Sequence, residues 1–207
     1  MRKLIIASRN TGKITEFQRM MAQYAPDVQV MSLLDFSELP DVEETGTTLR
    51  ENAALKAIAI TQATGTPCLA DDSGIFIDAL NGDPGVYSAR WSGIHGDDAA
   101  NNAKVLRQIH ELEAGGPVSR KAQFRCVVAL SLPAVHTSGE TLIFEEGEMP
   151  GHIIDSPRGE HGFGYDPIFV PEGFSLTSAE LSAQEKDRIS HRGEAMRKIF
   201  PRLTATL

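Results

Sequence analysis

This sequence has only two cysteines, no long apolar run and no excess of basic residues. Cys68 and Cys126 form neither a CxxC pair nor a zinc-ligand spacing, which excludes a disulfide framework. Both lie in apolar, strand-like runs and are predicted to be buried packing residues in a reducing compartment. No stretch approaches the roughly 18 apolar residues of a membrane span. The run Leu4–Ala7 is too short for a signal peptide, so we expect a cytoplasmic protein with no membrane partner.

Acidic residues outnumber basic ones. The chain has 28 Asp and Glu against 20 Lys and Arg, a formal net charge of −8 over 207 residues. Because polyanion binding draws on basic residues in excess, no nucleic-acid partner is expected, and any phosphate must be held locally. The composition, 41% hydrophobic and 23% charged, is that of a globular protein. The length predicts a single domain over residues 1–207, or one core with two lobes.

Strand-like and helix-like segments are mixed along the first half of the chain. The apolar run Leu4–Ala7 precedes a polar turn and a helical segment from Lys13 to Tyr24. A capping box at Thr48 predicts a helix that ends at Gly65.

The second half is predicted to contain a hairpin. Strict alternation from Ala122 to Leu132 predicts a strand, with Leu142–Glu148 as its partner across a turn at Thr137–Gly139. An antiparallel hairpin beside strand–helix units favours a mixed sheet over a purely doubly wound fold. The last helix is predicted to begin after Ser190 and to end at Pro201.

The segment Ser8–Lys13 lies where a strand gives way to a helix. Backbone N–H groups at a helix start, together with a lysine, suit a triphosphate. The segment is not a Walker A loop, because Ala7 and Ile14 stand where that motif needs Gly and Ser or Thr. The alternative is a tight turn with a solvated lysine.

Two strands are predicted, at Cys68–Ala70 and at Ile75–Leu80. The segment between them, Asp71–Gly74, begins with two adjacent acidic residues. Adjacent carboxylates in an extended chain point to opposite sides, so we expect one to face a site and the other to support structure. Mg²⁺ takes one or two carboxylates and completes its shell with water and phosphate. The loop Glu43–Gly46 could supply the second carboxylate, and one face of the next helix could present Asn52 and Lys56 together. The alternatives are an Asx-type turn and solvated surface charges.

The segment Gly162–Pro167 combines aromatic residues with glycines. An aromatic face can stack on a purine, and glycines let backbone donors approach its edge. Donors at Lys186 and Ser190–Gly193 suit an anion or a carbonyl edge. The alternatives are a turn with hydrophobic plugs and ordinary surface charge.

Together these segments resemble the inosine triphosphate pyrophosphatase family, also called dITP/XTP pyrophosphatases. The matching stretches follow the family order over nearly the whole chain. They are Ser8–Lys13 with Glu16, Glu43–Gly46, Glu51–Ala53 with Leu55–Ala57, Ala70–Gly74 with Asp78, Pro84–Arg90, Gly162–Phe169 and Ser190–Gly193. Several spaced motifs in order are far more specific than any one of them.

The resemblance implies a Mg²⁺-dependent hydrolase that converts ITP, dITP and XTP to the monophosphate and pyrophosphate, clearing deaminated purines from the nucleotide pool. It implies an α/β fold with an elongated mixed β-sheet flanked by helices, two lobes with a central nucleotide cleft, and a homodimer. A nucleotide pyrophosphatase with a different base preference is the enzymatic alternative. A nucleotide sensor or RNA-binding module is the non-enzymatic one.

The resemblance also implies roles for individual residues. Asp72 is the implied proton acceptor, and Glu43 and Asp72 are the implied Mg²⁺ ligands. The implied substrate-binding residues are Ser8, Arg9, Asn10, Thr11, Gly12, Lys13, Ser73, Phe163, Gly164, Tyr165, Asp166, Lys186, His191 and Arg192.

Overall fold

The structure is a computed structural model that describes residues 2–39, 41–133 and 141–207. Within these residues the strands are β1 (Arg2–Ile6), β2 (Val28–Ser32), β3 (Cys68–Ile77), β4 (Lys121–Ser131), β5 (Leu142–Ile153) and β6 (Phe169–Pro171). The helices are α1 (Thr11–Tyr24), α2 (Leu49–Thr64), α3 (Asp98–Glu113), α4 (Ala183–Ile189) and α5 (His191–Thr206). Across the described ranges, no helix combines the length and apolar character needed to cross a membrane.

The strands form one mixed sheet in the order β2-β1-β3-β4-β5-β6. Strand β1 is parallel to β2 and β3, and β6 is antiparallel to β5. Two hydrogen bonds, Leu132 N to Thr141 O at 2.8 Å and Ile153 N to Arg120 O at 2.9 Å, pair β4 and β5 in opposite directions. The predicted mixed sheet and hairpin are therefore confirmed, while the predicted turn at Thr137–Gly139 lies outside the described residues.

The chain forms two compact units. Unit 1 comprises Met1–Asp72, Cys126–Gly147 and Arg192–Leu207, and unit 2 comprises Ser73–Arg125 and Glu148–His191. Each unit buries apolar side chains of its own, which is the main favourable term in its folding.

Each core is built from strand and helix residues of the same unit. The core of unit 1 includes Leu4, Ile6, Phe17, Met21, Cys126, Met196 and Leu203. The core of unit 2 includes Ile75, Ile77, Val105, Ile109, Phe124, Tyr165 and Phe169. Both cysteines are buried and reduced, as predicted, and burial raises the pKa of each thiol.

Helix α2 confirms the strongest local prediction. The Thr48 side chain accepts a hydrogen bond from Glu51 N at 3.2 Å, and Glu51 Oε2 accepts one from Thr48 N at 3.1 Å. This reciprocal capping box satisfies two backbone donors that a helix start leaves open. Gly65 ends the helix with a φ of 64°, a left-handed conformation that glycine adopts without steric cost.

The two strands predicted around Asp71–Gly74 are a single strand, β3, so that prediction was wrong. The acidic residues stay extended because buried partners on both sides of the strand satisfy their charges. The strand also ends earlier than predicted, since Asp78–Leu80 forms a 3-10 turn.

The predicted end of the last helix at Pro201 was also wrong. Helix α5 continues to Thr206 with Pro201 inside it. The added turns bury Leu203 fully in the core of unit 1, which offsets the backbone hydrogen bond that proline cannot make. Helix α4 was not predicted, although Ser182 and Glu185 form a capping box at its start.

Gly74 in β3 is predicted to tolerate no side chain. A Cβ atom there would collide with the carbonyl group of Gly85 and lie 2.9 Å from Ser88 Oγ. Because backbone atoms cannot move aside cheaply, Gly74→Ala is expected to lower the free energy of unfolding by about 1–3 kcal/mol or more, measured by urea denaturation. Gly115→Ala is the matched control, since its Cβ would lie 3.4 Å from its nearest contact. Equal stability of the two variants would contradict the prediction.

Candidate active site

Asp71 and Asp72 lie next to each other on β3, and different residues contact each of them. The Asp71 carboxylate contacts Lys13 and Arg192, whereas the Asp72 carboxylate contacts Asn52 and Lys56. Both aspartates are buried. Because successive side chains of a strand alternate between its faces, each carboxylate has its own direct contacts. The predicted opposite orientation of the two side chains agrees with these different partners.

Asp72 is held by helix α2. Asn52 Nδ2 donates to Asp72 Oδ2 at 3.0 Å, and Lys56 Nζ lies 3.8 Å from Asp72 Oδ1. The other end of the Asn52 amide accepts a hydrogen bond from Gly46 N at 2.8 Å, which ties the acidic loop to the same carboxylate. The expectation that one helix face presents Asn52 and Lys56 together is confirmed.

Burial and neighbouring charges shift the pKa of Asp72 and of Lys56. Burial raises the pKa of Asp72 above its ordinary value, and Lys56 opposes this rise. Burial by itself would lower the pKa of Lys56, but the carboxylates of Asp72 and Glu44 outweigh it and raise that pKa. Lys56 is therefore a fixed cation shared by two carboxylates.

Of the two neighbouring glutamates, Glu44 is the one directed at this cluster. Glu44 Oε1 lies 2.6 Å from Lys56 Nζ, whereas Glu43 is exposed. The carboxylates of Glu44 and Asp72 thus both lie near the ammonium group of Lys56. Carboxylate oxygens are hard donors, which suit Mg²⁺. In the part of the chain that the structure describes, no group of three or more His, Cys, Asp or Glu could hold a metal. Mg²⁺ needs only one or two carboxylates, so the donor set fits it.

Asp71 belongs to a buried ionic cluster that joins α1, β3 and α5. Its Oδ2 atom lies 3.0 Å from Lys13 Nζ and 2.9 Å from Arg192 Nη2, and Arg192 Nη1 lies 2.5 Å from Glu16 Oε2. Burial by itself would raise the pKa of Asp71, but Lys13 and Arg192 hold it well below its usual range. The cluster contains two cations and two carboxylates, so its formal charges cancel. Buried charges need such compensation.

The guanidinium group of Arg192 lies inside this cluster. Its side chain is 1% exposed and is bound to Glu16 and Asp71. The sequence assigned a role to Arg192 but none to Asp71 as the partner of Lys13. Only the fold shows these pairs, because Arg192 is separated from Asp71 by 121 positions and from Glu16 by 176.

The segment Ser8–Lys13 forms the predicted turn into a helix. Asn10 caps α1, its side chain accepting a hydrogen bond from Lys13 N at 3.0 Å, and Asn10 N donates to Ser8 Oγ at 3.1 Å. Thr11 is exposed at the helix start. Backbone N–H groups at such a start favour an anion, so the loop suits phosphate.

Arg9 fastens a neighbouring loop of unit 1. Its Nη1 and Nη2 atoms donate to the carbonyl groups of Leu33 at 2.9 Å and Leu39 at 2.7 Å, and its Nε atom donates to Asp41 Oδ1 at 2.6 Å. The side chain thereby ties the Ser8–Lys13 turn to the segment before the acidic loop. This anchoring role was missed from the sequence, which gives no sign of the distant carbonyl partners.

The segment from Gly162 to Asp166 lies in unit 2 and is held by hydrogen bonds and a buried ring. Asp166 Oδ2 accepts a hydrogen bond from Phe163 N at 3.0 Å and pairs with Lys186 Nζ. Lys186 Nζ also lies 4.9 Å from the centroid of the partly exposed Phe163 ring. Tyr165 is buried, and its hydroxyl donates to Ser88 O at 2.8 Å.

Two further predicted site residues lie at the boundary of unit 2. His191 is 4% exposed, and its ring stacks on Phe124 with centroids 4.8 Å apart. Ser73 is half-buried in β3, directly after Asp72. The structure thus gathers Lys13, Asp72 and the acidic loop in unit 1, and the segment from Phe163 to Asp166 with Lys186 in unit 2.

Comparison with known proteins identifies the family. A sequence model of the Ham1 family matches residues 4–202. This chain belongs to the Ham1 family. A Streptomyces avermitilis protein named dITP/XTP pyrophosphatase is 46% identical over 201 residues, covering 97% of this chain and 96% of the relative.

Solved structures of Ham1-family proteins have the same fold. The Staphylococcus aureus Ham1 protein superposes with a TM-score of 0.82 at 40% identity, covering 99% of both chains. A Mycobacterium abscessus structure described as a nucleoside-triphosphatase / dITP/XTP pyrophosphatase has a TM-score of 0.71 at 46% identity, covering 96% of this chain and 99% of that one. These likenesses confirm the predicted α/β fold and the family.

Arg9→Ala is expected to loosen the segment that Arg9 anchors. Three hydrogen bonds would be lost, and bonds of a charged donor contribute about 1.5–3 kcal/mol each, so amide exchange in residues 33–39 should accelerate about tenfold or more. Hydrogen-exchange mass spectrometry measures this. Asp41→Ala, the control, removes one exposed partner only and should accelerate exchange less. Unchanged exchange in Arg9→Ala would show that the side chain does not hold the segment.

Proposed function

We infer that this chain is a nucleoside triphosphate pyrophosphatase that hydrolyses ITP, dITP and XTP to the monophosphate and pyrophosphate. The observation that most supports this inference is the arrangement of the adjacent residues Asp71 and Asp72. The Asp71 carboxylate is paired with Lys13 of the turn Ser8–Lys13, and the Asp72 carboxylate lies beside the acidic loop Glu43–Gly46. Membership of the Ham1 family and the name of the Streptomyces relative support it. Such hydrolysis clears deaminated purine nucleotides from the nucleotide pool.

The proposed cofactor is Mg²⁺, held by Asp72 and by a glutamate of the acidic loop. Family resemblance assigns the second ligand to Glu43, while Glu44 shares Lys56 with Asp72 in the structure. When bound, Mg²⁺ supplies charge neutralisation at the phosphate oxygens. The residues of the chain supply binding, orientation and proton transfer.

The proposed triphosphate site is the turn Ser8–Lys13. The start of α1 directs backbone N–H groups outward, and Lys13 adds a full positive charge. Asp71 holds Lys13 Nζ at 3.0 Å, so the ammonium group is positioned before substrate arrives. Such preorganised donors stabilise charge that develops on the phosphate without reorganising during the reaction.

Asp72 is the proposed proton acceptor. Asn52 fixes its Oδ2 atom by a 3.0 Å hydrogen bond, which orients the whole carboxylate. In the proposed step, a water oxygen bonds to the α-phosphorus, its proton passes to Asp72, and the bond between that phosphorus and the α,β-bridging oxygen breaks, so pyrophosphate leaves. Positioning by α2 contributes because a general base must lie within hydrogen-bond reach of the water.

The proposed base-binding residues are those of unit 2 with the segment that follows. Phe163 would stack on the purine, with Gly164, Tyr165, Asp166 and Lys186 shaping its surroundings. Donors from the segment His191–Arg192 and from Ser73 would complete the nucleotide contacts. A site that donates to a 6-oxo group rejects adenine strongly, because its buried donors would be left unpaired.

Further proposals concern the state of the protein in the cell. We propose a cytoplasmic homodimer whose catalytic domain spans residues 1–207, with a small nucleotide as its partner and neither nucleic acid nor membrane. The net charge of −8 supports the absence of a polyanion partner. Size-exclusion chromatography with light scattering tests the dimer directly.

A comparison of ITP, GTP and ATP in Mg²⁺, with all products resolved, tests the function. ITP is expected to give IMP and pyrophosphate, at least about a hundredfold faster than ATP, because of the donor mismatch with adenine. Chelation with EDTA is expected to abolish turnover. IDP and phosphate as products would contradict α,β cleavage. A preference for another base would favour the related pyrophosphatase, and binding without turnover would favour the nucleotide sensor.

Asp72→Asn is expected to lose nearly all hydrolysis while still binding ITP. Amide nitrogen cannot accept the proton, and general bases contribute about 10²–10⁴-fold to the rate. Initial rates and calorimetric binding of ITP measure the two effects. Asp27→Asn is the control, since Asp27 is an exposed partner of Arg2 and should retain full activity. An active Asp72→Asn enzyme would remove Asp72 from its role.

A further inference from the structure

One helix of unit 2 holds both polar groups of Gly164. Asp98 Oδ2 accepts a hydrogen bond from Gly164 N at 2.6 Å, and Asn102 Nδ2 donates to Gly164 O at 2.9 Å. Asp98 and Asn102 are four positions apart on α3, so their side chains share one helix face. Asn102 is only 7% exposed, so its bond to Gly164 forms in a largely dry environment.

This two-point contact, Asp98 and Asn102 on Gly164, fixes a backbone conformation that the loop does not fix by itself. Gly164 has a φ of +63°, in the left-handed region, and a Cβ atom there would meet no other atom within 4 Å. Glycine samples many conformations at little cost, so contacts from elsewhere must select this one. On the other side of the loop, Asp166 Oδ2 accepts a hydrogen bond from Phe163 N at 3.0 Å, and Asp166 N donates to Phe163 O at 3.4 Å. These two bonds hold Phe163, whereas the bonds from α3 hold Gly164 itself.

We propose that Asp98 and Asn102 are positioning residues for base recognition, because they fix Gly164 and with it the ring of Phe163. The proposal rests on the proposed function, in which Phe163 stacks on the purine. A stacking face held in place before binding loses less entropy when the base arrives, so the effect belongs to substrate affinity and not to bond cleavage.

The contact predicts a separation between base and phosphate binding. Lys13 and Asp72 are held by Asp71 and Asn52, through hydrogen bonds and ion pairs that involve neither Asp98 nor Asn102. Loss of the contact should therefore weaken binding of ITP and IMP. Inhibition by pyrophosphate, which has no base, should stay unchanged.

Steady-state kinetics of Asp98→Ala and Asn102→Ala with ITP test the proposal. The KM for ITP should rise about tenfold while kcat changes less than about twofold, as a loss of uniform binding requires. The calorimetric Kd for IMP should rise equally, and the Ki for pyrophosphate should remain at the wild-type value. Asp98→Asn keeps an acceptor oxygen for Gly164 N and should restore most of the lost affinity.

Asp97→Ala is the matched control. Asp97 caps the same helix, accepting from Ala100 N at 3.0 Å, and its removal destabilises α3 without touching Gly164. It should lower Tm while leaving the KM for ITP unchanged. An equal rise in KM in Asp97→Ala, or unchanged IMP affinity in both alanine variants, would overturn the proposal. Failure of the wild-type protein to hydrolyse ITP would instead refute the proposed function, so the two failures are distinguishable.

Discussion

The buried carboxylate of Asp71 sets the constraint on which the arrangement of unit 1 depends. A buried charge without compensation costs several kcal/mol, so Asp71 requires cations at fixed positions. Lys13 from α1 and Arg192 from α5 supply them, and Arg192 in turn requires Glu16. Two helices distant in sequence are thereby fixed against one strand. The need to compensate the Asp71 charge also fixes the position of Lys13, the lysine of the turn Ser8–Lys13.

The negative charge of Asp72 is compensated in a different way from that of Asp71. Its neighbours are the neutral amide of Asn52 and the ammonium of Lys56, which Glu44 also attracts. Asp71 and Glu16 have two cations between them, Lys13 and Arg192, whereas Asp72 and Glu44 share Lys56. A site with more negative than positive charge attracts a further cation, whereas a balanced cluster does not. The surroundings of Asp72 therefore contain more carboxylates than cations, unlike those of Asp71.

Local rules predicted the parts of the fold that depend on neighbours in sequence. The helix from Thr48 to Gly65 and the opposite orientation of Asp71 and Asp72 follow from capping and from strand periodicity. The predicted break between two strands at Asp71–Gly74 was wrong. Asp, Ser and Gly favour turns locally, but distant cations and close backbone packing hold this segment extended. The partners of Arg9 and Arg192 were beyond prediction for the same reason, since no local pattern specifies a carbonyl or carboxylate so far away in sequence.

The segment around Phe163 shows how far a motif alone can specify a site. Its glycines and aromatic residues predict a loop, and the structure forms a loop there. Its conformation, however, is selected by residues outside the motif: Asp98 and Asn102 on Gly164, Ser88 on Tyr165, and Lys186 on Asp166. Two chains with the same loop sequence but different residues at these positions would present the aromatic ring differently. The position of the Phe163 ring, on which the proposed base stacking depends, is therefore set by α3 as much as by the loop itself.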